Sequence, residues 1–511
     1  MTTPARLRRA VRRGSLGVDL WAALNLVGTL VRYLSLAFLL PIAFAFGYDE
    51  PVLPFALAAL ITGAVGFALE AATRGHRNAG IREGFLVVAL TWLFAAGVGA
   101  LPYLLSGEDQ LTRPVDAYFE AMSGFTTTGA SVLTDIPSVD RSLLIWRQFS
   151  QWLGGMGIIV LALAVLPRLR VGGRQLFEQE APGPEIEQLA ASIRVTARRL
   201  WLLYIGLTAV LIIVLIGLDV TGADRRMSPY EAVAHAFSTM PTGGFSTRPR
   251  SVEEFGAASQ WTIALFMAIA GANFALLYAG LVRRRLAALR RDEEFRLYVA
   301  LLALGSVVLT LELVDKGIHE GEAALRHAVF QTVSIMTTTG FASADFVTWT
   351  PLAAVILIGL MFFGGSAGST SGSVKVVRHL LIGRILRREL DQTIHPELVS
   401  SVHLNRRRVD ERTLRAVVVF VLLYVGLFAV GALALMVDAA RTGLSLSPFE
   451  AIAAAATTLG NVGPGFGFAG PVGSFEPFSD VSMVVMTLLM WLGRLEIIPV
   501  IVLLTRSYWR A

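Results

Sequence analysis

The sequence predicts an all-α polytopic membrane protein in which a leading transmembrane hairpin is followed by four units built on one plan. Three observations carry this reading. Of 511 residues, 54% are hydrophobic and only 16% charged, with a mean hydropathy of +0.62, far more apolar than a soluble domain needs. A short Thr/Gly stretch also occurs four times, as Thr126-Thr127-Thr128-Gly129, Pro241-Thr242-Gly243-Gly244-Phe245, Thr337-Thr338-Thr339-Gly340-Phe341 and Thr457-Thr458-Leu459-Gly460-Asn461. The copies lie about one hundred residues apart, too far for one helix pair of a solenoid, so each unit holds several elements. Finally, arginines collect on alternate loops, as in a chain that threads a bilayer with its basic loops inside.

The apolar run Leu20–Gly47 follows Arg6, Arg8, Arg9, Arg12 and Arg13. It exceeds the ~7–15 residues of a signal-peptide core, so it reads as a retained transmembrane helix. Pro51–Ala72 returns through the bilayer to a basic loop with Arg74, Arg77 and Arg82. Neither helix carries the Thr/Gly stretch, which makes residues 1–83 a peripheral hairpin. The first unit, 84–199, contains Gly84–Leu105, the shorter Val115–Phe125 and Leu143–Leu166. The second, 200–293, contains Leu200–Val220, Pro229–Met240 and Trp261–Val282. The third, 294–413, contains Phe295–Val314, Glu322–Met336 and Pro351–Phe363 with a continuation. The fourth, 414–511, contains Leu414–Val437, Pro448–Thr458 and Val481–Thr505. A ~30 Å hydrocarbon core takes ~20 apolar residues, which the outer runs of each unit approach. The middle runs, ~11–15 residues at ~1.5 Å rise, reach about halfway and must leave by the face they entered. The count is about ten spans and four re-entrant half-helices.

Charge orients the chain. Arg283-Arg284-Arg285, Arg290-Arg291 and Arg406-Arg407-Arg408 fall on the segments placed inside, together with the N-terminus, 73–83, 167–199, 283–296, 375–413 and 506–511. Glu108, Asp109, Asp116, Asp135, Asp140, Asp345 and Asp480 sit beside the Thr/Gly loops. Both termini are therefore expected in the cytoplasm, with the loops open outward. The same distribution accounts for an isoelectric point near 9.8 without nucleic acid as a partner; lipid is the expected surrounding. No cysteine is present, so disulfides and thiolate metal sites are excluded, and the seven histidines show no metal-ligand spacing.

Irregular backbone at membrane depth is tolerated only inside protein or along a watery cavity. Four such loops would each form one wall of a common cavity. Glycine at the turn removes a side chain between carbonyl and cavity, and rings of carbonyls replace the hydration shell of a cation. Each half-helix points the negative end of its dipole at the same place, again favouring a cation. Close helix packing by small residues is the alternative reading of one such loop.

These loops, with Gln151-Trp152-Leu153-Gly154-Gly155-Met156-Gly157, the Gly-Phe pairs at 244–245 and 340–341, and Gly460-Asn461-Val462-Gly463-Pro464-Gly465, resemble the Trk/Ktr/HKT superfamily of potassium transporters. The leading helix pair and long tail are most similar to its bacterial Trk membrane subunit, which implies the inner membrane of a prokaryotic cell. The resemblance implies four helix–pore-helix–helix repeats around one central pore, a homodimer, and gating by a cytoplasmic nucleotide-binding ring of the TrkA type, so that any nucleotide sits on the partner. It places the selectivity-filter glycines on Gly129, Gly243, Gly340 and Gly460, which goes with K⁺ as the transported ion. The filter set it implies is Thr127, Thr128, Gly129, Thr242, Gly243, Thr338, Thr339, Gly340, Leu459, Gly460 and Asn461. K⁺ would lie on the backbone carbonyls of Thr128, Gly129, Thr242, Gly243, Thr339, Gly340, Leu459 and Gly460. Pro241 and Leu459 stand where other repeats have Thr, so the filter departs from four-fold symmetry.

Two interruptions fall inside the membrane. Gly364, Gly365, Ser366, Gly368, Ser369 and Gly372 belong to a Gly/Ser stretch that begins about 15 residues, or ~22 Å of helix, after Trp349, short of the ~30 Å core. It lacks the Gly-Lys-Ser/Thr of a phosphate loop. A cytoplasmic linker reached by a tilted helix is the plain reading; the resemblance favours an intramembrane gating loop, with Lys375 and Arg378 anchoring its inner end. Arg494 sits ~18 Å of helix from the inner end at Arg506, too far to snorkel. A mid-membrane arginine costs ~2.5–3.5 kcal/mol unless it faces a polar interior. It is expected either to project into the pore below the filter as a barrier to cations, or to pair with carbonyls or a carboxylate elsewhere. Arg147, near its helix start, is expected to snorkel outward, and Glu120, Glu231 and Glu450 on the half-helices to hydrogen-bond loop backbone, with Asn461 bracing the fourth loop. The function expected is K⁺ uptake. The alternatives are a secondary transporter of Na⁺ or a small solute built on broken helices, and, least supported, a membrane-embedded enzyme, for which no nucleophile–base pair appears.

Overall fold

The computed structural model describes residues 18–76, 80–164, 186–398 and 400–510. The N-terminal arginines, Arg77 and residues 165–185 of the long inner loop lie outside the described residues. Among the described residues the regular structure is helical, apart from a short hairpin pairing β1 (His403–Leu404) antiparallel with β2 (Arg407–Arg408) and one isolated bridge between Phe363 and Val374.

Among the described residues six helices are long and apolar enough to cross a membrane, one of them running Glu411–Thr442. Only 22% of its most apolar window is buried inside the protein, and Leu422 and Leu433 stand 68% and 64% exposed. An apolar face of that size turned outward requires lipid.

The leading hairpin consists of α1 (Leu20–Leu34), continued through a 3-10 turn by α2 (Leu39–Gly47), and α3 (Leu53–Ala72). Asn25 donates to Thr73 Oγ1 at 2.9 Å across the pair. The first unit comprises α4 (Ile81–Gly99) with its short extension α5 (Leu101–Ser106), the half-helix α6 (Pro114–Phe125) and the return helix α7 (Arg141–Ala164). The second opens with α8 (Ile186–Val220) and the half-helix α9 (Pro229–Thr239). Its return run, expected to be continuous, is broken into α10 (Ala257–Ala270) and α11 (Phe274–Leu277), the latter extended by a π turn to Val282, with a 104° bend between the two parts. Asn273 causes the restart: its side chain caps α11 by accepting from Ala275 N and Leu276 N. The short helix α12 (Leu286–Arg291) then leads to the third unit, with α13 (Glu293–Asp315), the half-helix α14 (Gly321–Met336), and a return run split into α15 (Pro351–Met361) and α16 (Val376–Ile394). The fourth unit holds α17 (Glu411–Thr442), the half-helix α18 (Pro448–Gly460) and α19 (Asp480–Arg494). Here too the expected single run is interrupted, restarting as α20 (Ile498–Leu503) before the terminal turn α21 (Arg506–Trp509). Glu496 and Ile497 adopt positive φ of 57° and 59°, and Pro499 opens α20, so the helix cannot pass through.

The half-helices are the most enclosed elements. In α18 every residue from Ala453 to Gly460 is buried, and its run of alanines lets surrounding helices approach closely. Proline opens three of the four, at Pro114, Pro229 and Pro448, where its missing N–H costs nothing.

Candidate functional site

Backbone geometry gives the register of the four loops. In each, a left-handed residue is followed two positions later by a left-handed glycine: Thr127 and Gly129, Thr242 and Gly244, Thr338 and Gly340, Asn461 and Gly463. The residue between them donates its N–H back into the half-helix with the same span every time, Thr128 to Ser123 O, Gly243 to Ser238 O, Thr339 to Ser334 O at 2.8 Å and Val462 to Thr457 O at 2.9 Å. Two sequence assignments therefore move. Gly243 is the counterpart of Thr128 and Thr339, and the glycine matching Gly129 and Gly340 is Gly244. In the fourth unit Leu459 and Gly460 still belong to α18, and the matching pair is Val462 and Gly463. The helix runs one residue further there than in units one and three, up to the left-handed Asn461 that ends it. Departures from symmetry follow: Pro241 and Gly460 occupy the place of Thr126 and Thr337, and Asn461 the place of three threonines.

The matching glycines close a ring. A Cβ on Gly129 would lie 2.2 Å from the Gly243 carbonyl oxygen, one on Gly244 1.9 Å from Thr339 O, one on Gly340 2.0 Å from Val462 O, and one on Gly463 2.8 Å from Thr128 O. Each glycine thus faces the carbonyl of the next unit, in the order one, two, three, four and back to one. The four loops therefore contact one another in a closed cycle through backbone alone, each of the four carbonyl oxygens standing where a side chain on the neighbouring glycine would be.

The loops are braced from outside. Gln151 donates to Gly243 O at 2.6 Å and accepts from Phe245 N at 3.2 Å. Asn461 donates to Thr128 Oγ1 and to Met490 O, both at 2.9 Å, tying the fourth loop to the first and to α19. Glu120 accepts from Val132 N and Ser131 Oγ at 3.0 Å. Glu231 instead holds Thr247 and Arg248, and Glu450 closes a capping box on its own helix with Ser447 N at 2.8 Å. Arg147 does not snorkel. It is 1% exposed, pairs with Glu120 at 2.7 Å and lies over the Phe245 ring at 4.2 Å. The carboxylate comes from a neighbouring half-helix, which distance along its own helix could not reveal.

The three helix breaks converge beneath this ring. From the stretch between α15 and α16, Ser366 N donates to Gly271 O at 2.8 Å, and Gly368 O accepts from Phe274 N at 3.1 Å, joining it to the bend of unit two. Gly372 N donates to Thr338 Oγ1 at 2.7 Å, and Thr370 Oγ1 accepts from Thr242 Oγ1 at 3.4 Å, directly under two of the loops. A Cβ on Gly372 would lie 2.3 Å from Gly460 O, and one on Gly365 2.4 Å from Gly271 O, so only residues without a side chain fit here. Arg494 is 2% exposed and donates to Thr370 O at 2.8 Å and Gly154 O at 3.3 Å. Arg494 pairs with carbonyls, as one expectation had it, and because Thr370 belongs to the Gly/Ser stretch that lies under the loops, the other expectation, a barrier in the pore, stays open. Lys375 Nζ donates to Ser371 O, while Arg378 pairs with Glu496 and stacks on Phe420 at 3.8 Å. Glu294 accepts from Ala367 N at 2.6 Å and Val377 N at 3.2 Å, tying the stretch to the first turn of α16. Sequence reading missed Asn273, Glu294 and Glu496 in these roles. Asn273 and Pro499, each a helix interrupter within an apolar run, were the signals that could have exposed two of the breaks.

The family model for TrkH, described as cation transport protein, matches residues 54–510. The Trk system potassium uptake protein TrkH of Salmonella typhimurium is 38% identical over 494 residues, covering 96% of this chain and 99% of that protein. The TrkG protein of Escherichia coli is 33% identical over 497 residues, covering 95% and 98%. The crystal structure of the potassium transporter TrkH from Vibrio parahaemolyticus superposes with a TM-score of 0.86 at 33% identity, over 96% of this chain and 100% of that one.

Proposed function

This chain belongs to the TrkH family of cation transport proteins, and from that premise we propose that it takes up K⁺ through the ring of Thr/Gly loops. The observation that carries the reading is the closed cycle in which Gly129, Gly244, Gly340 and Gly463 each face a carbonyl of the next unit. Dehydrated K⁺ would bind the carbonyls of Thr128, Gly243, Thr339 and Val462, with those of Thr127, Thr242, Thr338 and Asn461 below and of the four glycines above. The division into a hairpin, 1–83, and repeats 84–199, 200–293, 294–413 and 414–511 belongs to this reading.

The stretch 364–373, held by Arg494, Lys375 and Glu294, acts as the gate. In the closed arrangement it fills the space under the ring, and the Arg494 charge repels a cation that has passed it. The relatives are named as proteins of a Trk system, which supports a multi-component machine. The reading adds a homodimer in the inner membrane, termini inside, whose gate is driven by a cytoplasmic nucleotide-binding ring of the TrkA type. Nucleotide binding is thus placed on the partner.

Expression in a bacterium lacking its own potassium uptake, at limiting K⁺ and with the regulatory partner supplied, tests the proposal. Growth rescue is expected, together with its loss in Gly244→Ser and Gly463→Ser. Failure of the well-expressed wild-type chain to rescue would sink the reading.

A further inference from the structure

A cavity of about 880 Å³ opens between α8, α11, α12, the start of α13 and the β1–β2 hairpin. It lies at the end of the molecule away from the Thr/Gly loops, because α13 runs from Glu293 to Asp315 before α14 turns back toward Thr337. Seven arginines line it, among them Arg199, Arg285, Arg290, Arg291 and Arg406. Among the described residues those five form no ion pair and no side-chain hydrogen bond. The two carboxylates of the lining are already engaged. Asp292 caps α13 by accepting from Phe295 N at 2.8 Å and holds Asn405 Nδ2 at 2.8 Å. Glu293 accepts from Asn405 N at 3.0 Å and pairs with Arg384, which is not in the lining, at 2.9 Å.

So large an excess of guanidinium in one concavity repels itself unless an anion enters, and the guanidinium fork matches the oxygens of phosphate. The volume is within the range of cavities that enclose a small ligand or headgroup. At the rim, Leu281, Val282 and Leu286 are 51%, 53% and 61% exposed, apolar side chains placed beside the arginines where an acyl chain would continue. We propose that this cavity is a phosphate-binding site whose ligand is the headgroup of an anionic phospholipid in the adjoining leaflet. Basic pockets between membrane helices on the arginine-rich side recognise such headgroups. Occupancy also reaches the Gly/Ser stretch, because two walls of the cavity hold it: Phe274 N binds Gly368 O, and Glu294, next to Glu293, binds Ala367 N and Val377 N. The site does not depend on which ion the protein carries, so its test reads binding rather than uptake.

The full-length protein and the variant Arg285→Gln/Arg290→Gln/Arg291→Gln are reconstituted in phosphatidylcholine alone or with roughly one-fifth phosphatidylglycerol, and retained lipid is counted by native mass spectrometry. A control variant, Arg387→Gln/Arg412→Gln/Arg415→Gln, removes the same charge outside the cavity. Phosphatidylglycerol should be retained by the wild type and the control and bound on the order of 100-fold more weakly by the cavity variant, with equal melting of all three in phosphatidylcholine. A parallel arm adds inorganic pyrophosphate in phosphatidylcholine. Stabilisation of the wild type but not the cavity variant, with phosphatidylglycerol retained equally by both, would keep the phosphate site and overturn its lipid source. Equal retention and equal stabilisation in all three proteins, or equal loss in the control, would overturn the site.

Discussion

A methyl group at Gly463 tests the register of the ring most directly. Gly463 holds φ at +113°, where a residue with a side chain costs about 1–3 kcal/mol. Its Cβ would come within 2.8 Å of Thr128 O, so the first loop must shift as well. Gly460, which the family resemblance places in the ring, behaves differently. It sits in the last turn of α18, and the nearest atoms to a Cβ there are Val462 Cγ2 at 3.2 Å and Met361 O at 3.3 Å, relieved by a shift of a few tenths of an ångström. Alanine is also the better helix former by about 1 kcal/mol, which offsets that shift. If the strain at Gly463 falls on the ion-binding carbonyls, K⁺/Na⁺ discrimination drops by roughly 10–100-fold in Gly463→Ala. Gly460→Ala should stay within about threefold of wild type. The assay is rubidium uptake against competing sodium in cells without their own potassium uptake, normalised to protein in the membrane. An equal or larger loss in Gly460→Ala would refute the register argued from the left-handed positions.

Further outcomes follow from the same geometry. Arg494→Ala removes charge-assisted bonds to Thr370 O and Gly154 O, each worth about 1.5–3 kcal/mol, and should raise flux about tenfold or more; unchanged or lower flux at normal membrane levels argues against the barrier. Gly372→Ala cannot occupy the closed position, with Gly460 O only 2.3 Å from the new Cβ, so basal leak should rise; a leak equal to wild type would mean that the stretch does not close the path. Arg147→Met leaves Glu120 buried without its cation, a loss of about 3–5 kcal/mol, visible as earlier thermal inactivation in detergent. Adding Glu120→Gln should recover part of it, and a melting curve that Arg147→Met does not move would refute the pairing's structural weight. Asn461→Ala cuts the ties to Thr128 Oγ1 and Met490 O, and is expected to lower discrimination with little change in folding, read from the same rubidium assay and from expression.

The plan of long, half-length and long runs was legible because apolar length against bilayer thickness is a one-dimensional quantity. So were the Thr/Gly loops and the Gly/Ser stretch, since composition alone marks backbone that must leave a helix. The breaks at Gly271–Asn273 and Leu495–Ile497 were not, because each interrupts less than one helical turn and apolar residues flank it on both sides. Hydropathy averaged over a span passes over such a gap; the N-cap side chain of Asn273 and the ring of Pro499 create it. The depth of Arg147 was misjudged for a different reason. Its partner Glu120 lies 27 residues earlier on another helix, and such a pairing exists only once the half-helix is folded against the return helix. In the fourth loop the sequence Leu459-Gly460 imitates Thr-Gly, and only backbone angles separate a glycine that ends a helix from one that faces a carbonyl.

In the proposed function, selection and gating share atoms, and they share them unequally. The Gly/Ser stretch hydrogen-bonds the loops of units two and three through Thr242 and Thr338. In unit one the Thr127 hydroxyl has no hydrogen-bond partner among the described residues, and in unit four Asn461 is committed to Thr128 and Met490. Withdrawing the stretch therefore frees hydroxyls on one half of the ring and leaves the other half braced as before. The withdrawal also has to break the bonds to Gly271, Phe274, Glu294 and Arg494, at about 0.5–1.5 kcal/mol for each neutral bond and 1.5–3 for each charged one. A ligand opens the gate only by binding the withdrawn state more tightly by a comparable amount. Because Glu294 and Phe274 form part of that grip and continue into helices outside the pore, force applied to α13 or α11 reaches the ring without any contact with the ion.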